Sequence, residues 1–156
     1  MARIEEAQNP YGNHYFALYI GSTEVAHFME CSGLKSSTTV FEIEEGGLNT
    51  RVHKRPGQSK WENIVLRTAT ATSTYLLEWR DAILQDGFKT ASNRRNGSIA
   101  LWSNKGGERG SQVVRRWSFA NGWPVSWEGP SLNAAGSELS VETLEIAHEG
   151  LTVSNS

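Results

Sequence analysis

Residues Gln112 to Trp127 read QVVRRWSFANGWPVSW. Val113, Arg115, Trp117 and Phe119 alternate with Val114, Arg116 and Ser118, the period-two pattern of a strand with one face toward a core. Gly122 is expected to break this strand. Beyond it Trp123, Val125 and Trp127 share one face again, and packing of that face against a core is the default expectation. Two other uses of so much aromatic surface stay open: a sugar-binding platform, and a surface buried only when copies of the protein meet.

The flanking sequence is β-like in the same way. HYFALYI (His14 to Ile20) is a short run of β-formers, Gly21-Ser22 turns the chain, and EVAHFMECSGL (Glu24 to Leu34) returns, so residues 14–32 read as a hairpin. In TTVFEIE (Thr38 to Glu44), Phe41 and Ile43 alternate with Glu42 and Glu44, which predicts a half-buried strand. NIVLRT (Asn63 to Thr68) and GSIALWS (Gly97 to Ser103) read as further strands. Asn96-Gly97 reads as a turn, and NKGGERGS as a flexible hairpin turn. SELSVETLEIAHEGL (Ser137 to Leu151) places Leu139 and Val141 on one parity and Leu144 and Ile146 on the other, so a bulge is expected near Thr143.

One segment has helical period. After Thr72 to Thr74 as candidate N-caps, Leu76, Trp79 and Ile83 recur at spacings of three and four, flanked by Leu77 and Leu84, and Gly87 supplies the stop. Glu78, Arg80, Asp81 and Gln85 are assigned to the opposite, wet face. The tally of seven to nine strands and one helix predicts a mainly β sandwich or barrel with a helix against it.

Between the strands lies EGGLNTRVHKRPGQSKWEN, Glu45 to Asn63. It is basic, punctuated by Gly46-Gly47 and Pro56-Gly57, and much longer than the ~4–6 residues usual for a connection. Arg51, His53, Lys54, Arg55 and Lys60 could form a solvated loop or touch phosphates; Trp61 alone makes a weak stacking platform for single strands. They could also form a docking arm whose cations meet Glu5 and Glu6, or Glu42, Glu44 and Glu45, on another copy. An arm that binds a different patch on its neighbour generates rings or open stacks.

Composition bounds the rest. The chain has 156 residues, 38% hydrophobic, with net charge −2 and mean hydropathy −0.46. That is one soluble domain, 1–156, with no global attraction to nucleic acid or anionic lipid. The single cysteine, Cys31, excludes an intrachain disulfide and a multi-cysteine metal site. The four histidines show no ligand spacing and no HExxH. No enzyme activity, metal or cofactor is expected. MARIEEAQNPYGNHY lacks the apolar core of a signal peptide, so synthesis in the cytoplasm without membrane insertion of the monomer is expected.

The ordered set of motifs points to a family. FxxxCSGL (Phe28 to Leu34), EIEEGGLNT (Glu42 to Thr50), RPGQSKWENIVL (Arg55 to Leu66), LLEW (Leu76 to Trp79), WSFANGWPVSWEGPSLNA (Trp117 to Ala134) and ELSVETLEIAHEGL (Glu138 to Leu151) span nearly the whole chain. In this combination the chain resembles the tail tube proteins of contractile phage tails and related contractile injection systems. The resemblance implies an Hcp-like β-sandwich or barrel with one amphipathic helix and a long extended loop. It also implies six-membered rings stacked into a tube inside a contractile sheath. The loop 45–62, with Gly46, Gly47, Asn49, Arg51, His53, Lys54, Arg55, Pro56, Gly57, Lys60 and Trp61, would be the inter-subunit or inter-ring arm. Implied partners are further copies of the chain, the sheath protein, the baseplate and spike, a tube terminator, and cargo protein or DNA in the lumen. The setting would be a virion tail or an injection particle. If four strands per subunit line the tube, about 24 strands at ~4.8 Å spacing enclose a backbone diameter of roughly 37–48 Å, too wide for side chains to fill. A β-sandwich carbohydrate-binding module with a Trp-rich face is the alternative, and a secreted type VI effector-carrier ring a further one.

Overall fold

The structure is a computed structural model that describes residues 15–44, 46–47, 50–69, 74–105, 108–136 and 140–155. Among these, the strands in chain order are β1 (Phe16–Ile20), β2 (Thr23–Phe28), β3 (Glu30–Ser32), β4 (Ser36–Ile43), β5 (His53–Trp61) and β6 (Ile64–Ala69). After the helix α1 (Tyr75–Asp86) and a 3-10 turn at Ala91–Asn93 come β7 (Arg95–Lys105), β8 (Glu108–Glu128), β9 (Val141–Ala147) and β10 (Leu151–Asn155). Among the described residues the strands number ten, more than the seven to nine expected.

All ladders are antiparallel. β2, β1, β7, β8, β9, β6 and β3 lie side by side in that order, β10 adds to β8, and β4 pairs only with β5. Two segments change partners along their length. β2 pairs with β1, and after a kink at Met29 the same segment continues as β3 against β6. β8 pairs with β7 and β10 along its first part and with β9 from Trp123 onward. Because β2 and β3 are one kinked segment, the ladders close on themselves as a barrel whose corners are turned by strands that switch sheets. The Met29 N–H donates to the Arg67 carbonyl at 2.8 Å and Thr68 Oγ1 to the His27 carbonyl at 3.0 Å, holding one corner.

The core fills the space between these walls: Phe16, Leu18, Phe28, Ile64, Leu66, Trp79, Ile99, Phe119, Leu144 and Ile146. α1 lies against β8. Trp79 is its buried residue; its indole N–H donates to the Asn93 carbonyl at 2.8 Å, while the Asn93 amide donates to the Gly87 carbonyl at 2.7 Å. The expected stop at Gly87 is present, with φ 55° and its N–H bonded to Ile83. Thr74 is the N-cap, but its hydroxyl donates to Glu78 Oε1 instead of capping the backbone; Thr72 and Ser73 lie outside the described residues. Arg80 is not on the wet face: it is half-buried and donates to the Pro124 carbonyl at 3.0 Å.

Several expectations are corrected. Gly122 does not end the strand; β8 runs through it for 21 residues. Asn121 at φ 51° and the lack of a Cβ at Gly122, which would come 2.4 Å from the Phe119 ring, let one strand bend from one wall into the next. The buried parity beyond the bend is that of Pro124, while Trp127 is exposed. The bulge near Thr143 is absent from β9, whose register with β6 is unbroken from Val141 to Ile146; the extra residue is Val125, across the ladder on β8. Asn96-Gly97 is strand, not turn: a Cβ on Gly97 would meet Phe119 at 2.5 Å and the Tyr19 carbonyl at 2.6 Å. β4 is exposed along nearly its whole length rather than half-buried. Finally, half of the expected loop 45–62 is the strand β5.

Candidate assembly surface

β4 and β5 form a two-stranded hairpin that belongs to neither wall of the barrel. An isolated two-stranded hairpin is only marginally stable in water, so its local chemistry matters. Ser36 to Thr38 pair with Trp61 to Ser59, and Val40 to Ile43 pair with Pro56 to His53. Between these blocks β5 carries one extra residue, a β-bulge at Gly57-Gln58 opposite Thr39. Pro56-Gly57 is therefore not loop punctuation. A bulged edge strand is where a residue without an N–H and a residue without a Cβ are tolerated. Gly57 is also where Phe41 rests: an added Cβ would lie 2.6 Å from the Phe41 ring. The Thr38 and Ser59 hydroxyls share a hydrogen bond of 2.7 Å.

The root of the hairpin is fixed to the barrel by close backbone packing. Gly33 has φ 82°, and a Cβ there would stand 1.9 Å from the Asn63 carbonyl oxygen. The Glu62 N–H donates to the Lys35 carbonyl at 3.0 Å. The Asn63 amide donates to Glu145 on β9 at 2.8 Å, and the His148 ring meets the Glu62 carbonyl at 3.0 Å and the Trp61 ring at 6.0 Å between centroids. Sequence reading missed Gly33, Glu62, Asn63, Glu145 and His148 as positioning residues. The signal was present in CSGL and KWEN, since a glycine and a short amide beside two strand ends mark a close approach.

The predicted arm residues occupy this hairpin as follows. Gly46 and Gly47 turn the chain at the far end, with Gly47 at φ 101°. Arg51 precedes β5; His53, Lys54, Arg55, Pro56, Gly57, Lys60 and Trp61 lie on it. Asn49 and Glu45, and the acidic candidates Glu5 and Glu6, lie outside the described residues. Glu42 sits directly opposite Lys54 in the same hairpin. Lys60 reaches Glu62 at 3.6 Å in its own chain. Glu44 follows the end of β4 and is exposed.

What the hairpin shows to solvent is apolar as well as charged. Phe41 is 63% exposed, Val40 58% and Ile43 39%, and Val52 and Trp61 are also exposed. So many uncovered hydrophobic side chains on one outlying element mark a contact surface. The three tryptophans of residues 117–127 divide differently. Trp117 packs against the core, Trp123 meets Phe88 edge-on at 5.2 Å, and Trp127 alone of the three is exposed, so they do not form a flat platform.

Two other clusters carry titratable groups. Burial, with the Glu30 carboxylate adding to it, pushes the Cys31 thiol up to about 12, so it is not a poised nucleophile. Glu24 accepts from Tyr19 at 2.5 Å and from Arg109 at 3.2 Å, with His27 at 2.7 Å. Burial alone would raise its pKa, but the hydrogen bonds from Tyr19 and Arg109 and the nearby cations hold it below the ordinary value. This cluster ties the β7–β8 hairpin to β1 and β2 and is structural. No grouping of three or more metal-ligating side chains occurs among the described residues.

A closed barrel with a free-standing apolar hairpin and a strand β10 that, among the described residues, pairs on one side only has the open edges of a subunit that joins others. The profile of the T4-like virus tail tube protein gp19 family matches residues 12–152. The chain belongs to that family, and it is a structural tube subunit. Among solved structures it is similar to a chain of the sheath–tube complex of the PVC extracellular contractile injection system in its extended state. There the identity is 23% and the TM-score 0.77, covering 96% of this chain and 95% of that one. It is similar also to a chain of the tube terminating cap of the anti-feeding prophage, at 24% identity and TM-score 0.78 over 100% of both chains. Hcp1 from Flavobacterium johnsoniae is similar at 14% identity and TM-score 0.54, covering 91% and 96%. These likenesses establish the Hcp-like fold. A comparison with curated proteins gave no match.

Proposed function

We propose that six copies of this chain close into a ring, that rings stack into a hollow tube, and that a contracting sheath drives this tube through a target envelope. The observation that carries the reading is the β4–β5 hairpin. It stands clear of the barrel, shows Val40, Phe41 and Ile43 of β4 and Trp61 of β5 to water, and has cations on β5. Such an element is costly for a solitary protein and useful for one whose neighbours cover it. The similar chains support the setting, since they come from a sheath–tube complex, a baseplate and a tube cap. Sheath, baseplate, spike and terminator are accordingly the partners, and protein or DNA is the cargo. The tube acts mechanically and catalyses nothing. Assembly follows synthesis in the cytoplasm; among the described residues no helix is long and apolar enough to cross a membrane.

Electron microscopy of the purified protein at rising concentration tests this reading. Rings with six-fold symmetry that stack into tubes are expected. Rings that never stack favour the effector-carrier alternative, and persistent monomers contradict both.

A further inference from the structure

A second apolar feature lies on the barrel, away from the hairpin. Phe16, Met29, Cys31, Leu34, Leu101 and Trp117 line a groove of about 300 Å³ where β3 leaves the wall formed by β1, β7 and β8. That is about ten times the volume of one liquid water, more than a phenyl ring requires. Met29, at its rim, is 57% exposed. Glu30, also at the rim, is 58% exposed at its side chain and spends one oxygen on Arg67 at 3.3 Å.

The hairpin carries the complementary surface. Phe41 and Ile43 are two residues apart on β4 and share one face. Arg55 lies directly opposite Phe41 in the register, hence on that same face. The Phe41 ring is held in place over the bare backbone of Gly57. An apolar knob with a cation beside it thus matches an apolar groove with a carboxylate beside it. Within one chain the two do not meet: Phe41 is 63% exposed and does not line the groove of its own copy.

We propose that the groove of one copy receives Phe41 and Ile43 from the hairpin of a second copy, with Arg55 of the hairpin facing Glu30 at the groove rim. The contact joins two different patches, so each copy both gives a knob and takes one, and the arrangement propagates. It rests on the tube reading and adds the receptor site that reading leaves unspecified.

The test uses disulfide capture in a Cys31→Ser background, which removes the only native thiol. Met29→Cys and Phe41→Cys are placed on separate full-length chains; both sites are exposed, so neither change disturbs the core. The chains are mixed, assembled, oxidised with copper-phenanthroline and resolved on a non-reducing gel. At least tenfold more linked dimer is expected from the mixture than from either chain alone, and the double variant should give a ladder. Tubes that form but link only like with like, or not at all, overturn the proposal while leaving the tube reading intact. Linkage of Met29→Cys to Tyr11→Cys within one chain overturns it too, because the N-terminal segment then fills the groove. If Phe41→Cys blocks assembly, the charge pair carries the test. Glu30→Lys and Arg55→Glu should each weaken assembly and together restore it, and failure to restore it overturns the proposal. Failure of the unmodified protein to form tubes counts instead against the tube reading.

Discussion

Gly33 shows how much one residue can decide. Its φ of 82° lies where a side chain is strained, and its Cα sits so close to the Asn63 carbonyl that a Cβ would overlap it at 1.9 Å. The two ends of the hairpin therefore leave the barrel side by side only because residue 33 has no side chain. Gly33→Ala is expected to cost roughly 2–4 kcal/mol, combining backbone strain with displacement of a neighbouring backbone. Chemical denaturation would read it, and a loss under about 0.5 kcal/mol would show that the root relaxes freely. Gly21→Ala is the comparison: its φ is 63° but nothing lies within 4 Å of an added Cβ, so strain acts alone there. Sequence reading treated glycines as turns. The CSGL and KWEN motifs hint at the close approach at Gly33, but nothing local marks Gly57 and Gly97 as places where a second segment, distant in the chain, comes close.

At the scale of elements, periodicity served where one face of a strand or helix is buried within the subunit. The β1–β2 hairpin, β6, β7 and α1 appear where alternation or a three-to-four spacing placed them, with Trp79 buried on the helix stripe. It failed where burial does not follow a simple face. β5 has no alternating hydrophobic pattern because neither of its faces meets the core, and so it read as a loop. The Glu24 cluster ties the β7–β8 hairpin to β1 and β2. Against the upward push of burial, the Tyr19 and Arg109 hydrogen bonds hold the folded Glu24 carboxyl below its ordinary value. Its contribution is present above the unfolded value and lost as pH falls through the folded one. The stability difference between the native chain and Glu24→Gln, followed by urea midpoint, should be full at neutral pH and shrink below about pH 4–5. A difference independent of pH would mean that the charge of Glu24 does not hold the cluster.

For the whole molecule the question is which part is fold and which part is assembly. The core lies inside the barrel and takes nothing from residues 36–61, since none of its ten residues comes from β4 or β5. Thr38 and Ser59 face each other across the hairpin, so an Asn-Gly turn can join them in place of residues 39–58. That shortened chain is expected to keep its β spectrum and thermal midpoint within a few degrees, and to sediment as a small species that forms no tubes. Full-length tubes from it would dismiss the hairpin as the assembly element. By itself, the sequence determined the β-rich class, the single helix and, through the ordered motifs from Phe28 to Leu151, the family. Those follow from local periodicity and from motif order, both of which are written along the chain. Only the tertiary structure decided that β8 is one bent strand, that β2 and β3 close the barrel, and that the basic segment is a folded hairpin with Phe41 displayed. Each of these depends on contacts between residues far apart in the chain, and no local pattern encodes such contacts.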